Sequence, residues 1–370
     1  MKKIDRREFI AAGAAFAGAA AIGGCATGRK AAFTAPQGDI RAFLLHLGHN
    51  MWCDWPSEAM GAEKGIAFLT EKRRPDLKLR SRDDYWRVVT DHLAARGINL
   101  LVIDLGEGLA YPSHPELAIE GTWSVDKMRA EIARLQGMGI EVIPKLNFST
   151  THNGWMKDYR HMVSSRPYFR FCEDVIRDVA EIFDYPRFLH IGYDEETVEH
   201  QGAQWCGCQH IDVRRGEFWW GDFLHIVGFI DGLGIRPWTW SDYGWDHPEY
   251  VTRCPKCVVQ SNWYYDESHG GFDPATNKTS DLKRLNHFWA LEKAGFDQIP
   301  CGTNWVGWKR RQEKVGADDV IGKLVKLGRE VIAKPRLLGF MMAPWASCDT
   351  EAHRDFNIRG ADLFAEALRA

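Results

Sequence analysis

From Asp39 onward, short apolar runs rich in Val, Ile and Leu alternate with longer amphipathic stretches. The short runs predict strands near 43–47, 99–104, 141–146, 188–192, 237–240, 257–261, 298–302 and 338–342. The longer stretches predict helices over 82–96, 124–138, 168–184, 216–233, 280–294, 315–331 and 353–369, with one short helix near 246–252. Met128, Ile132 and Leu135 show the spacing, one apolar face recurring every three to four residues. Gly97, Gly139, Gly234 and Gly295 each stand between a helical pattern and the next strand, where a helix stops and the chain turns. Eight strand–helix units over 39–370 predict an α/β fold, a single (β/α)8 TIM barrel. A doubly wound sheet would carry a glycine-rich phosphate loop after its first strand. That place reads Gly48-His49-Asn50-Met51-Trp52, with no such pattern.

The first residues follow a different rule. Arg6 and Arg7 precede a weakly apolar stretch from Ile10 to Gly24, ending at Cys25. Paired arginines before such a stretch predict a twin-arginine export signal over 1–24, and fifteen apolar residues fall short of the roughly 20 a membrane span requires. Small residues before Cys25 resemble a bacterial lipobox, which would make Cys25 the site of lipidation and the only attachment to a membrane; the alternative is a plain cleaved signal in which Cys25 is incidental. Residues 25–38 then read as a linker, and the expected location is the bacterial cell envelope.

Composition adds two constraints. A net charge of −3 offers no basic footprint, so nucleic acid is not an expected partner. Sixteen tryptophans are many for 370 residues and suit either a stacking surface or a Trp-rich core. Two close cysteine pairs, Cys206 with Cys208 and Cys254 with Cys257, allow zinc, disulfides or free thiols. The first pair follows the fourth strand and the second precedes the sixth, nominally at opposite ends of a barrel. No metal site and no cofactor is therefore expected.

A barrel places its chemistry on the loops after its strands. Those ends supply Asn50, Asp104 and Glu107, Asn147 and His152, Asp194 and Glu195, Trp240 and Asp242, Trp263, Trp305, and Trp345. Carboxylates and amides chelate hydroxyls, and indoles cover the C–H faces of a sugar ring. The pattern predicts a carbohydrate site with an oligosaccharide or glycoconjugate substrate. His152 could contact substrate or the acid pair, or simply face solvent, while Trp219 and Trp220 lie on a helix and read as packing.

The strongest motif is Phe188-Leu189-His190-Ile191-Gly192-Tyr193-Asp194-Glu195-Glu196. It resembles the H-x-G-G-D-E hallmark of the family 20 glycoside hydrolases, the β-N-acetylhexosaminidases. Tyr111-Pro112-Ser113-His114-Pro115, Ser124-Val125-Asp126 and Gly139-Ile140-Glu141-Val142-Ile143-Pro144 resemble the family's second and third units. Trp238-Thr239-Trp240-Ser241-Asp242 and Val258-Val259-Gln260-Ser261-Asn262-Trp263 resemble its fifth and sixth strands. The resemblance implies a substrate-assisted retaining mechanism, in which the nucleophile belongs to the substrate. Glu195 would be acid and base, and Asp194 would orient the 2-acetamido group. Tyr193 replaces the second glycine and would add a phenol beside the acid. His49 and Asn50 stand where the family carries an arginine, and Lys145 and Asn147 replace its third-strand acids. These departures keep two other functions open: a glycosidase for sugars without an acetamide, using a carboxylate such as Asp242, and a carbohydrate-binding lipoprotein without turnover.

Overall fold

The structure is a computed structural model and describes residues 35, 38–52, 76–196, 214–265, 281–305 and 320–370. Contacts separate Met1–Ala35 from Pro36–Ala370, and all the elements below lie in the second unit. Cys25, Cys206 and Cys208 fall outside the described residues.

The chain runs β1 (Ile40–His46), α1 (Asp83–Ala95), β2 (Leu100–Asp104), α2 (Val125–Gly137), β3 (Glu141–Lys145), α3 (Arg166–Ile182), β4 (Phe188–His190) and α4 (Glu217–Gly232). It continues through β5 (Arg236–Trp240), α5 (Tyr250–Arg253), β6 (Val259–Ser261), α6 (Asp281–Ala294), β7 (Cys301–Gly302), α7 (Val320–Val331), β8 (Gly339–Met342) and α8 (Glu351–Arg369). All strand pairs are parallel, in the order β6-β5-β4-β3-β2-β1-β8-β7. The cylinder closes between β6 and the β7 segment, where the Ile299 N–H donates to the Gln260 carbonyl at 2.9 Å and the Cys301 N–H to that of Asn262 at 3.1 Å. This is a single (β/α)8 TIM barrel.

Local chemistry explains the element ends. The Ser124 hydroxyl caps α2 by accepting the Lys127 N–H, the Ser165 hydroxyl caps α3 and Thr350 caps α8. Gly97 ends α1 at φ 77°, the left-handed turn foreseen there. Three strands, β4, β6 and β7, fall short of their expected ranges by two or more residues. β7 keeps only Cys301–Gly302 because Pro300, with no N–H, interrupts the ladder; β4 stops at His190 because the chain beyond it turns left-handed. The short helix near 246–252 is a 3-10 turn at Asp242–Trp245 followed by α5.

Alternation along the strands divides the core in two. Phe43, Leu45, Leu101, Ile103, Val142 and Leu189 pack outward with helix residues such as Trp86, Leu135 and Val175. The other face, including Ala42, Leu44, Leu100, Val102, Ile143, Phe188 and Trp238, fills the barrel. At the carboxyl end of that interior the apolar layers give way to His46, Asp104, Lys145 and His190, all fully buried. The Lys145 ammonium donates to Asp104 Oδ2 at 2.5 Å, and His46 Nδ1 lies 3.4 Å from the same oxygen. Burial raises the pKa of Asp104 despite that ammonium, and holds His46 and His190 well below the usual imidazole range.

A buried pair of this kind is costly to break because the remaining charge has no solvent. Lys145→Met should destabilise the protein by about 3–5 kcal/mol, read as a lower midpoint in urea. Adding Asp104→Leu should recover most of that loss.

Candidate active site

The site is built where β4 stops being a strand. Gly192, Tyr193 and Glu195 have φ of 73°, 68° and 56°. Left-handed backbone costs a non-glycine residue roughly 1–2 kcal/mol, so two such residues mark a turn that other contacts must hold. Gly192 is required by space as well: a Cβ there would lie 2.2 Å from Asn147 Oδ1.

The loop after β3 supplies those contacts. Ser149 Oγ and Thr151 Oγ1 both donate to the Asp194 carbonyl, at 2.5 and 3.1 Å. The Asn147 amide donates to Asp194 Oδ1 at 3.3 Å, while its own carbonyl accepts the Ser149 N–H. His152 Nε2 lies 3.1 Å from Glu195 Oε2 and 3.4 Å from Asp194 Oδ2, touching both acids. From β5, Asp242 Oδ2 accepts the Glu195 N–H at 2.7 Å, and its Oδ1 accepts the Trp263 indole N–H at 3.3 Å. Burial and the nearby charges of Asp194 and Glu195 push Asp242 up to about 8.

The three successive carboxylates have different fates. The Glu195 side chain is 36% exposed, that of Asp194 13%, and that of Glu196 is fully enclosed. Glu196 accepts the Thr150 N–H and hydroxyl, each at 2.7 Å, and pairs with the buried Arg214 guanidinium. Arg214 also donates to the Phe148 carbonyl at 2.6 Å and lies 3.3 Å from Asp222 of α4. Glu195 is the most exposed of the three, Asp194 is largely enclosed, and Glu196 is an anchor.

Aromatic residues at other strand ends pack against one another. Trp240 packs against His190 and Trp345 at ring separations of 4.6 and 5.7 Å. Trp345 in turn meets His46, Trp52 and Tyr265, and Tyr265 stacks on Trp263 at 5.0 Å. Trp240, Trp263 and Trp345 thus form one connected set. Trp305, half-buried, donates its backbone N–H to Thr303 Oγ1. Tyr193 packs elsewhere: it is fully buried against Trp219 and Phe223 of α4, beneath the Arg214 guanidinium. Asp104 lies in the barrel interior with Lys145.

Sequence reasoning passed over Arg214 and the roles of Lys145 and Glu107. Asp104 and Lys145 were detectable only as inward positions at the ends of neighbouring strands, paired at one register. Cys254 is a buried free thiol and Cys257 a half-buried one. Among the described residues no cluster of His, Cys, Asp and Glu has the arrangement of a metal site.

Glu107 fixes the end of β1. Its carboxylate accepts the His49 N–H at 2.7 Å and the Asn50 N–H at 3.0 Å, and Asn50 then exchanges two hydrogen bonds with the Asp76 backbone. Burial outweighs these N–H donors and raises Glu107 to about 7. Folding therefore takes up a proton here between about pH 4.5 and 7, and this group's contribution to stability falls as pH rises through that window. Glu107→Gln removes the titration. The stability difference, variant minus wild type, should move in the variant's favour from pH 4.5 to 7, as measured by urea unfolding at each pH.

No family model and no curated protein matches the sequence. Solved structures do. An exo-β-N-acetylglucosaminidase of glycoside hydrolase family 20 from Vibrio harveyi, solved with N-acetylglucosamine, aligns at TM-score 0.53 and 16% identity, over 88% of this chain and 54% of that one. A β-N-acetylhexosaminidase from Bacteroides fragilis aligns at 0.56 and 13%, over 88% and 66%. Dispersin B aligns at 0.53 and 16%, over 78% and 95%. The chain spans between half and two thirds of the length of the first two. At these identities the likeness is one of fold alone, a (β/α)8 barrel like those of the hexosaminidases named above.

Proposed function

We propose that this protein is an exported glycoside hydrolase that cleaves terminal β-linked N-acetylhexosamine with retention, assisted by the substrate's own acetamide. The observation that carries this reading is that Asp194 and Glu195, at the left-handed end of β4, bring their carboxylates to one atom, His152 Nε2. Glu195, the more exposed carboxyl, is the acid that protonates the glycosidic oxygen and the base that then activates water. Asp194 holds the acetamide N–H and offsets the charge that develops as the carbonyl oxygen attacks the anomeric carbon. A charge-assisted bond of this kind is roughly twice as strong as a neutral one. His152 holds both carboxyls in register, and Trp240, Trp263 and Trp345 receive the sugar's apolar faces. The relatives in fold are named for N-acetylglucosamine or N-acetylhexosamine, which agrees with this substrate class. Asp242 is poorly suited to be a nucleophile, because both its oxygens already accept N–H bonds.

The reading is tested with aryl β-glycosides that carry or lack the 2-acetamido group. Glu195→Gln should lower turnover of poor leaving groups by about 10²–10⁴-fold and spare activated ones. Asp194→Asn should depress kcat more than substrate binding, and should erase the wild type's preference for an N-acetylglucosamine thiazoline over the parent sugar. Equal turnover of glucosides and N-acetyl analogues, with no preference for the thiazoline, would remove the acetamide from the mechanism.

Export by the twin-arginine route and lipid attachment at Cys25 belong to the same proposal, supported by Arg6, Arg7 and the small residues before Cys25. Among the described residues no helix is long and apolar enough to cross a membrane. Arg6→Lys with Arg7→Lys should hold the precursor in the cytoplasm, and Cys25→Ala should release exported protein from the membrane fraction.

A further inference from the structure

We infer that Asp242 is a positioning residue for Glu195, acting through the Glu195 main chain and making no contact with the sugar. This rests on the glycosidase reading above and goes beyond it, because that reading gives Asp242 no part in the acid step. Glu195 sits in the left-handed region at φ 56°, which its side chain does not favour. Something must keep it there. The Ser149 and Thr151 hydroxyls hold the carbonyl of Asp194, which is one side of the Asp194–Glu195 peptide. Asp242 holds the other side, accepting the Glu195 N–H at 2.7 Å. The peptide plane that precedes the acid is thus clamped at both edges, from the loop after β3 and from the turn after β5. With the plane fixed, the Glu195 side chain leaves the backbone toward His152, 3.1 Å away.

The second Asp242 oxygen accepts the Trp263 indole N–H, so one buried carboxyl ties the acid's backbone to a ring of the aromatic set. Both bonds run toward Asp242, whose two oxygens both accept in the ionised form, so asparagine is compared with it above about pH 8. Asparagine can accept at only one and would set an N–H against the other donor. Asp242→Asn is therefore nearly isosteric yet breaks the clamp.

The roles separate by leaving group and by a double-mutant cycle. If Asp242 acts through Glu195, Asp242→Asn should lower kcat on poorly activated aryl N-acetylglucosaminides by about 10²-fold, the effect of an acid misplaced by about 1 Å. It should change kcat on 2,4-dinitrophenyl substrates, and KM on both, by less than about threefold. Glu195→Gln combined with Asp242→Asn should be no slower than Glu195→Gln alone, because an acid already lost cannot be misplaced. Losses that multiply, or a raised KM with kcat intact, would overturn the inference and make Asp242 a direct ligand of the sugar. An unchanged kcat on poor leaving groups would overturn it too.

A crystal structure of Asp242→Ala reads the same inference without turnover. Glu195 should leave the left-handed region and its contact with His152 should open, while an unmoved Glu195 would overturn the proposal. Wild-type protein inactive on every aryl glycoside would overturn the glycosidase reading instead, and the crystallographic result would still decide what holds Glu195.

Discussion

A strand directs successive side chains to opposite faces, so two adjacent carboxylates cannot serve one pocket while their backbone stays extended. Everything around Asp194 and Glu195 answers that constraint. The chain abandons strand geometry at Gly192, and the resulting conformation would not persist by itself. The hydroxyls of Ser149 and Thr151, the amide of Asn147 and the carboxyl of Asp242 fill the vacated hydrogen-bonding directions. The segments that directly follow β3 and β5 carry these groups, so the least regular stretch of the barrel is fastened close to the ends of two of its strands. Preorganisation of this kind lets polar groups act without reorganising during a reaction.

Beneath the site the barrel interior is unusually polar. Asp104, Lys145, His46 and His190 occupy positions that a barrel usually gives to branched apolar side chains. The interior tolerates them because one carboxylate meets one ammonium and burial keeps both imidazoles neutral. The buried carboxylate and ammonium neutralise one another beneath the acids.

Much of the fold was legible because alternation and helical periodicity are local signals. The helix borders near Ser124, Ser165 and Gly97 follow from the chemistry of those residues alone. Boundaries slipped where the backbone broke its own rule: at Pro300, which cannot donate, and at Tyr193, where a side chain occupies a conformation suited to glycine. The same slip explains the phenol. A strand pattern would put Tyr193 beside the acid, but a left-handed residue leaves the alternation, and its ring packs on α4. Asn147, His152, Asp194, Glu195 and Asp242 were recoverable because a barrel gathers its strand ends. Asp104 with Lys145, and Glu196 with Arg214, were not, since partners 41 and 18 residues apart leave no local trace.

The Glu196–Arg214 pair brackets residues 197–213, and both members are held by groups outside that stretch: Thr150, the Phe148 carbonyl and Asp222. The two ends are therefore kept at a fixed separation whatever lies between them. Lengthening a connection whose ends are already pinned costs little, since each doubling adds only about 0.6 kcal/mol of closure entropy. This stretch is then a place where the barrel can accept new sequence without disturbing the carboxylates one residue upstream. A scaffold so arranged can vary the length between these two ends while its carboxylates stay in place, and this freedom follows from one buried ion pair.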